Sequence, residues 1–210
     1  MRNLDLCYAL VKATCEATNL PVSIKIRSRI HCEQKADPEA CHAEVTAVDL
    51  VERLKDLPIA ALMIHGRSYE KPFDGEPDVA MITRVREIAP CPVIANGGIY
   101  TPEDARTMLD DTHAHGIGIG RGSHGSPWIF QQIKEFFATG SYTAFTWEEK
   151  KHVIRRHAQL AFSANGTHGL VEMRKHLAWY VKGIYNAGEI RQMLVQTKCL
   201  QDVDAALAGI

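Results

Sequence analysis

Four short apolar runs, each followed by an amphipathic helical pattern, constrain this chain more than any other feature: PVSIKI at residues 21–26, AALMIH at 60–65, CPVIAN at 91–96 and GIGIG at 116–120. Strand-then-helix repetition predicts a parallel sheet covered by helices. Alternation within the runs sorts chemistry onto two faces. Val22, Ile24 and Ile26 share one side of the first run, and Ser23, Lys25 and Arg27 share the other. Leu62 and Ile64 lie opposite His65 and Arg67, while Ile117 and Ile119 lie opposite Gly118 and Gly120. Polar groups thus gather at the carboxyl ends of the runs. A barrel turns its apolar face to the helices and carries ligands at that rim, whereas an open doubly wound sheet buries both faces and would tolerate Lys25 and Arg27 poorly. The expected fold is therefore α/β, a partial (β/α)8 TIM barrel made of the last four βα units. A complete barrel takes about 250 residues, and Leu4, Cys7, Tyr8, Val11 and Cys15 form a helical stripe that places Met1 inside a helix. The N-terminal half of the barrel is expected to lie upstream, because four strands alone leave two unpaired edges.

Helix boundaries are legible from their caps. Thr101 precedes Pro102 with Asp104 following, and Ser126 precedes Pro127 ahead of WIFQQIKEFF. After about residue 140 the strand signal ends. Thr146 and Glu149 make a capping box, and the helix it opens is followed by GLVEMRKHLAWYVKGIY, with Met173, Leu177, Tyr180 or Val181, and Ile184 on one stripe. The organisation expected is a barrel part over 1–140 and a small all-helical domain over 146–210.

The net charge of -1 hides an asymmetry: residues 147–210 hold 9 Lys/Arg against 6 Asp/Glu, with His152, His157, His168 and His176 besides. That tail has a mild bias toward a polyanion, and Lys175 and Lys182, seven apart beside Arg174, are its candidate contacts. No apolar run approaches the roughly 18 residues that span a bilayer. Asp5 and Glu16 break any resemblance of the first residues to an export signal. Six cysteines without tight spacing fit reduced thiols in a cytoplasm. His31, Cys32, Cys41 and His42 form the one cluster to weigh as a zinc site, but neither half has the usual C-x2-4-C spacing, so no metal is expected.

Gly120, Gly122 and Gly125 formally match G-x-G-x-x-G. A dinucleotide fingerprint needs an acidic residue about 20 residues on, where FFATGSYTAF has none. A different phosphate site fits better. In phosphate-binding barrels the loops after the last two strands hold the phosphate, and those loops would be Asn96–Ile99 and Gly120–Gly122. Glycines admit close approach of backbone N–H groups, and Arg121 can bond two oxygens.

In order along the chain, PVSIKIR, IHGRSYEKPFDGEPD, PVIANGGI, GIGRGSHGSPWIF and RKHLAWY resemble the tRNA-dihydrouridine synthases, flavin-dependent barrels with a C-terminal helical RNA-binding domain. The resemblance spans nearly the whole chain. It implies reduction of uridine to dihydrouridine in tRNA by hydride transfer from reduced FMN, with NADPH as reductant and tRNA as partner. It implies a flavin site at Lys25, His65, Asn96, Gly97, Gly98, Gly120 and Arg121; beside it, Arg67 at the strand end and the basic tail residues Arg174, Lys175 and Lys182 are the candidate substrate contacts. Tyr69 and Phe73, in the loop after Arg67, are placed to stack on RNA. Two departures stand out. Gly98 occupies a position where the family has Asp, and the family's proton-donating cysteine, in an N-x-G-C-P loop, has no counterpart. Cys91 precedes its strand and so belongs to the opposite end of the sheet. No catalytic residue is expected in this chain. The rival expectations are an inactive RNA-binding remnant and another FMN-dependent barrel reductase.

Overall fold

A computed structural model describes residues 1–31, 44–71 and 73–210, which divide into two compact units, Met1–Gly120 and Arg121–Ile210. In the first unit the strands are β1 (Ser23–Arg27), the two-residue β2 (Arg29–Ile30) and β3 (Val45–Thr46), β4 (Ala61–His65), β5 (Val93–Asn96) and β6 (Gly116–Gly118). Its helices are α1 (Leu4–Glu16), α2 (Ala47–Leu54), α3 (Val79–Ile88) and α4 (Pro102–Thr112). The fold is α/β, with one four-stranded parallel sheet in the order β1-β4-β5-β6 and a small antiparallel ladder between β2 and β3.

Register turns the alternation in each strand into rows across the sheet. Ile24, Leu62 and Val93 are paired neighbours, as are Ile26, Ile64, Ala95 and Ile117. Leu62, Ile64, Val93 and Ala95 are fully or almost fully buried with Leu50, Leu54, Ile82, Val85 and Ala105 of the helices. Each large apolar side chain so buried contributes about 1.5–3 kcal/mol. A one-residue slip in any strand would exchange this face for the polar one.

The helices begin where short polar side chains satisfy their first N–H groups. Thr46 with Asp49 and Thr101 with Asp104 form complete capping boxes on α2 and α4, and Asp78 caps α3 by accepting from Met81 N–H at 2.9 Å. At α1 the cap is Asn3, so Met1 precedes the helix rather than lying inside it. The expected stripe survives, since Leu4, Cys7, Tyr8, Val11 and Cys15 are its half-buried positions. The α1 helix is anchored by polar contacts: Tyr8 O–H donates to Asp56 at 2.8 Å, and Arg53 pairs with Asp5 at 3.0 Å.

The second unit contains α5 (Ile129–Thr139), α6 (Trp147–Tyr180), α7 (Ala187–Leu194) and α8 (Leu200–Leu207). The expected start of α5 at Ser126–Pro127 is displaced. Trp128 is its N-cap, and Arg121–Trp128 is a run of tight turns closed by His124 N–H to Arg121 O, Ser126 N–H to Ser123 O and Ile129 N–H to Ser126 O. Packing fixes that run, since His124 stacks on Trp179 at 4.1 Å and a Cβ on Gly125 would lie 2.4 Å from the Trp179 carbonyl oxygen.

The Thr146–Glu149 capping box opens α6, whose backbone leaves helical geometry at Asn165 and Gly166. His157 and Tyr180 are hydrogen-bonded at 3.0 Å, whereas 23 residues of straight helix would separate them by roughly 34 Å. The element is therefore a helical hairpin. Its arms close around Ile154, Ala158, Leu170, Met173, Leu177, Tyr180 and Val181, joined by Ile190, Leu194, Val203 and Leu207 of α7 and α8. Gly169 permits the closest approach, because a Cβ there would lie 2.1 Å from Ala161 O.

Two stability predictions follow from this hairpin. Gly169→Ala should lower unfolding stability by about 1–3 kcal/mol or more through overpacking, as read by urea denaturation; Gly140→Ala, which meets nothing within 4 Å, should lose only the cost of its left-handed backbone. Burial holds the His157 imidazole below its ordinary value, and burial followed by the charge of Lys175 does the same to His176. The unfolded chain therefore takes up protons first as pH falls below about 6.5. Melting temperature should drop through pH 6.5 to 5 in the native chain, and the drop should shrink in a His157→Gln, His176→Gln double variant.

Candidate functional site

The face of the sheet away from the buried rows carries two further rows. Lys25, Met63, Ile94 and Gly116 are paired neighbours, and one step nearer the carboxyl ends come Arg27, His65, Asn96 and Gly118. Neighbouring strands lie about 4.8 Å apart, so the second row spans about 14 Å. Every strand of the parallel sheet contributes one residue to it. Sequence reading selected His65 and Asn96 but not Arg27, although its parity and terminal position already aligned it with Lys25. Gly118 was invisible as a site residue, since only register shows what it faces.

Local bonds fix this rim. Asn96 Nδ2 donates to Gly118 O at 2.6 Å, tying the ends of β5 and β6. Ser28 N–H donates to His65 O, and Ala47 N–H donates to Ser28 O, so the end of β1 is held to β4 and to α2. A side chain at Gly118 would begin 3.0 Å from Met63 Cε and 3.2 Å from Asn96 Nδ2. Gly97 has φ +118°, and a Cβ there would lie 2.9 Å from His65 Cδ2 and 3.1 Å from His65 Nε2. Gly98 has φ +73° and its Cβ would lie 2.9 Å from Pro77 Cγ. The chain can therefore turn sharply after Asn96 while leaving the His65 ring in place. Glycine at position 98 also has a local cause here, because any side chain would be strained and would meet Pro77.

The loop that follows β4 is tethered at several points. Arg67 is 8% exposed, its Nε donates to Gly75 O at 2.7 Å, and its Nη1 lies 3.5 Å from His65 Nε2. Arg27 Nη1 donates to Ser68 O at 3.2 Å, and Tyr69 N–H donates to Arg29 O. Arg29 in turn pairs with Glu44 at 3.2 Å and with Asp78. Tyr69 and Phe73 remain 58% and 66% exposed on this pinned loop. Lys25 is exposed on the sheet face.

Gly120 closes the first unit, and a Cβ on it would meet nothing within 4 Å. Arg121, exposed, opens the second unit in a 3-10 turn over Arg121–Ser123. Gly125, the third glycine of the formal match, is explained by its contact with Trp179. In the helical unit, Lys175 and Lys182 are exposed, and Lys182 follows the C-cap Val181 rather than continuing α6. Arg174 donates from Nε and Nη2 to Thr197 O at 3.0 and 2.8 Å. Cys91 lies before β5, at the amino end of the sheet, and burial pushes its thiol up. Cys32, Cys41 and His42 fall outside the described residues, and among the described residues no group of three or more His, Cys, Asp or Glu could hold a metal. No described helix is long and apolar enough to cross a membrane.

This is an α/β protein whose polar groups converge at the carboxyl ends of parallel strands, the usual position for ligand sites in such sheets. The chain belongs to the dihydrouridine synthase family, whose model matches residues 1–208. It is similar to a probable tRNA-dihydrouridine synthase 1 of Synechocystis sp., 32% identical over 203 residues that cover 96% of this chain and 54% of the relative. It is likewise similar to a tRNA-dihydrouridine synthase B of Xanthomonas axonopodis, 30% identical over 100% of this chain and 63% of the relative. A probable tRNA-dihydrouridine synthase of Mycobacterium tuberculosis is 34% identical over 97% of this chain and 50% of its own length. The chain thus spans between half and two thirds of the length of these relatives.

The glycine turn can be tested without a ligand. Gly97→Ala should strain a φ that alanine rarely adopts, costing about 1–3 kcal/mol, and should displace the His65 ring. Urea midpoints and the His65 imidazole resonances would both move; unchanged resonances would show that the ring does not depend on that turn.

Proposed function

We propose that this chain supplies the last four βα units of an FMN-binding barrel and the adjoining helical tRNA-binding part of a tRNA-dihydrouridine synthase. The observation that carries the reading is the row Arg27–His65–Asn96–Gly118, set across all four strands at their carboxyl ends. The sequential strand order adds support, because β1-β4-β5-β6 runs without the reversal that marks a doubly wound sheet. In functional terms residues 1–140 form the flavin part and 146–210 the tRNA part.

The residues present suit FMN. Gly97 and Gly98, both at positive φ, expose backbone to a phosphate or ring edge, and Gly120 leaves space that a side chain would fill. Arg121 is assigned to the phosphate as a bidentate donor. Lys25 brings positive charge to the face that His65 and Asn96 share, and so favours an anionic ring. His65 is assigned to hydrogen-bond the ring or the uracil, its imidazole positioned beside Arg67. Bound FMN supplies the hydride that reduces uracil, with NADPH as its reductant. Tyr69 and Phe73 stand ready to receive a uridine that has left its stack, and Arg67 pins the loop that carries them. Lys175 and Lys182 are assigned to tRNA phosphates, with Arg174 beside them holding the Gln196–Thr197 turn. Action on tRNA with NADPH corresponds to a cytoplasmic protein. The family's proton-donating cysteine matches no residue here, so no catalytic residue is assigned within this chain.

The test joins the unmatched part of the Synechocystis relative to this chain and measures flavin binding and dihydrouridine formation. Arg121→Ala should weaken FMN about tenfold to a hundredfold, the equivalent of one lost charged hydrogen bond, while riboflavin, which lacks the phosphate, should bind unchanged. Equal FMN affinity in the variant would remove Arg121 from the phosphate site. A chimera that binds no flavin would overturn the reading.

A further inference from the structure

All three tryptophans of the chain, Trp128, Trp147 and Trp179, line one open cavity of about 550 Å³ in the helical unit, together with Lys150, Lys182 and Tyr185. None of its lining residues among those described is acidic. The Lys150 ammonium lies 4.8 Å from the Trp147 ring centre and 5.5 Å from that of Trp128, within range of a cation–π attraction. Neither Lys150 nor Lys182 forms an ion pair among the described residues. Tyr185 is 92% exposed, more than any other large hydrophobic side chain among the described residues. The Trp179 wall is held by ring contacts, with His124 stacked on it and His176 edge-on at 4.7 Å.

A folding role accounts for Trp179 and for Trp128, which packs near Phe145 and Tyr180. It does not account for Tyr185, or for two lysines brought to an aromatic cleft without a carboxylate. Aromatic faces beside cations suit a group that is flat and apolar on one part and anionic on another. A cleft of this volume is within the usual range for a small ligand. In a duplex the base faces are already stacked, leaving only edges and backbone, whereas an unpaired nucleotide offers a free face and a phosphate together.

We propose that this cavity is a stacking site for one unpaired nucleotide of RNA, with the base against Tyr185 and Trp147 and the phosphate beside Lys182 and Lys150. The proposal rests on the reading of the helical unit as RNA-binding, and narrows it from a basic surface to a pocket that distinguishes single strands from duplex.

The test uses the 210-residue chain with an eight-nucleotide oligoadenylate, an eight-base-pair RNA duplex and heparin, each followed by tryptophan emission, with binding of the labelled RNAs measured independently by anisotropy. The single strand should quench emission saturably, and the duplex and heparin should not. Tyr185→Ala and Trp147→Ala should each weaken the single strand about 5- to 150-fold, the range expected for one lost stacking contact, and Trp147→Phe should retain most of the affinity. Tyr185 is so exposed that its removal leaves the fold intact. Unchanged affinity in both alanine variants, or equal quenching by duplex or heparin, would overturn the stacking site while leaving RNA binding in place. Absence of binding to either RNA by anisotropy would overturn the RNA-binding reading itself, and the pocket with it.

Discussion

The parallel register of β1, β4, β5 and β6 is the constraint on which the first unit depends. It aligns Ile26, Ile64 and Ala95 beneath the helices and in the same step aligns Arg27, His65 and Asn96 on the other face. Core and site are thus two sides of one pairing, and neither can shift without the other. The hydrophobic burial that fixes the register is far larger than any single polar contact at the rim. The rim bonds, such as Asn96 to Gly118 O, trim a geometry that the core has already chosen.

Much of this was legible because alternation in a strand is a direct record of its two environments. Lys25 and His65 read correctly as facing away from the apolar rows, and the capping boxes at Thr101 and Thr146 start their helices as written. Errors arose where tertiary packing overrides a local signal. Ser126–Pro127 has the composition of a helix start, but the contacts of His124 and Gly125 with Trp179 hold that segment in tight turns. Met1 follows the phase of the α1 stripe, yet the Asn3 cap begins the helix after it. Arg174 and Lys175 are adjacent in sequence but differ in use, since one bonds the Thr197 carbonyl and the other faces solvent. No sequence pattern distinguishes those two fates.

The glycines show the same division between local and global causes. Gly97 and Gly98 need their residue type for backbone angle and for the side chains that crowd them, His65 and Pro77 respectively. Gly125 and Gly169 need it for the close approach of another backbone. A motif search treats Gly120, Gly122 and Gly125 as one phosphate signature, yet the third has a packing role in the helical unit. Gly98 and Pro77 form a matched pair, because a side chain at position 98 would begin 2.9 Å from Pro77 Cγ and could not enter without displacing the proline.

The helical hairpin of α6 also sets a kinetic order. Its arms meet across the short break at Asn165–Gly166, so the first contacts close a loop of only a few residues. The β1–β4 pair joins Ser23 to Ala61, and the chain between them must be gathered before any ladder bond rewards it. Local closure is fast and distant strand pairing slow. The two arms of α6 can therefore meet early, whereas Arg155 with Asp204, 49 residues apart, waits on distant closure just as the β1–β4 pair does.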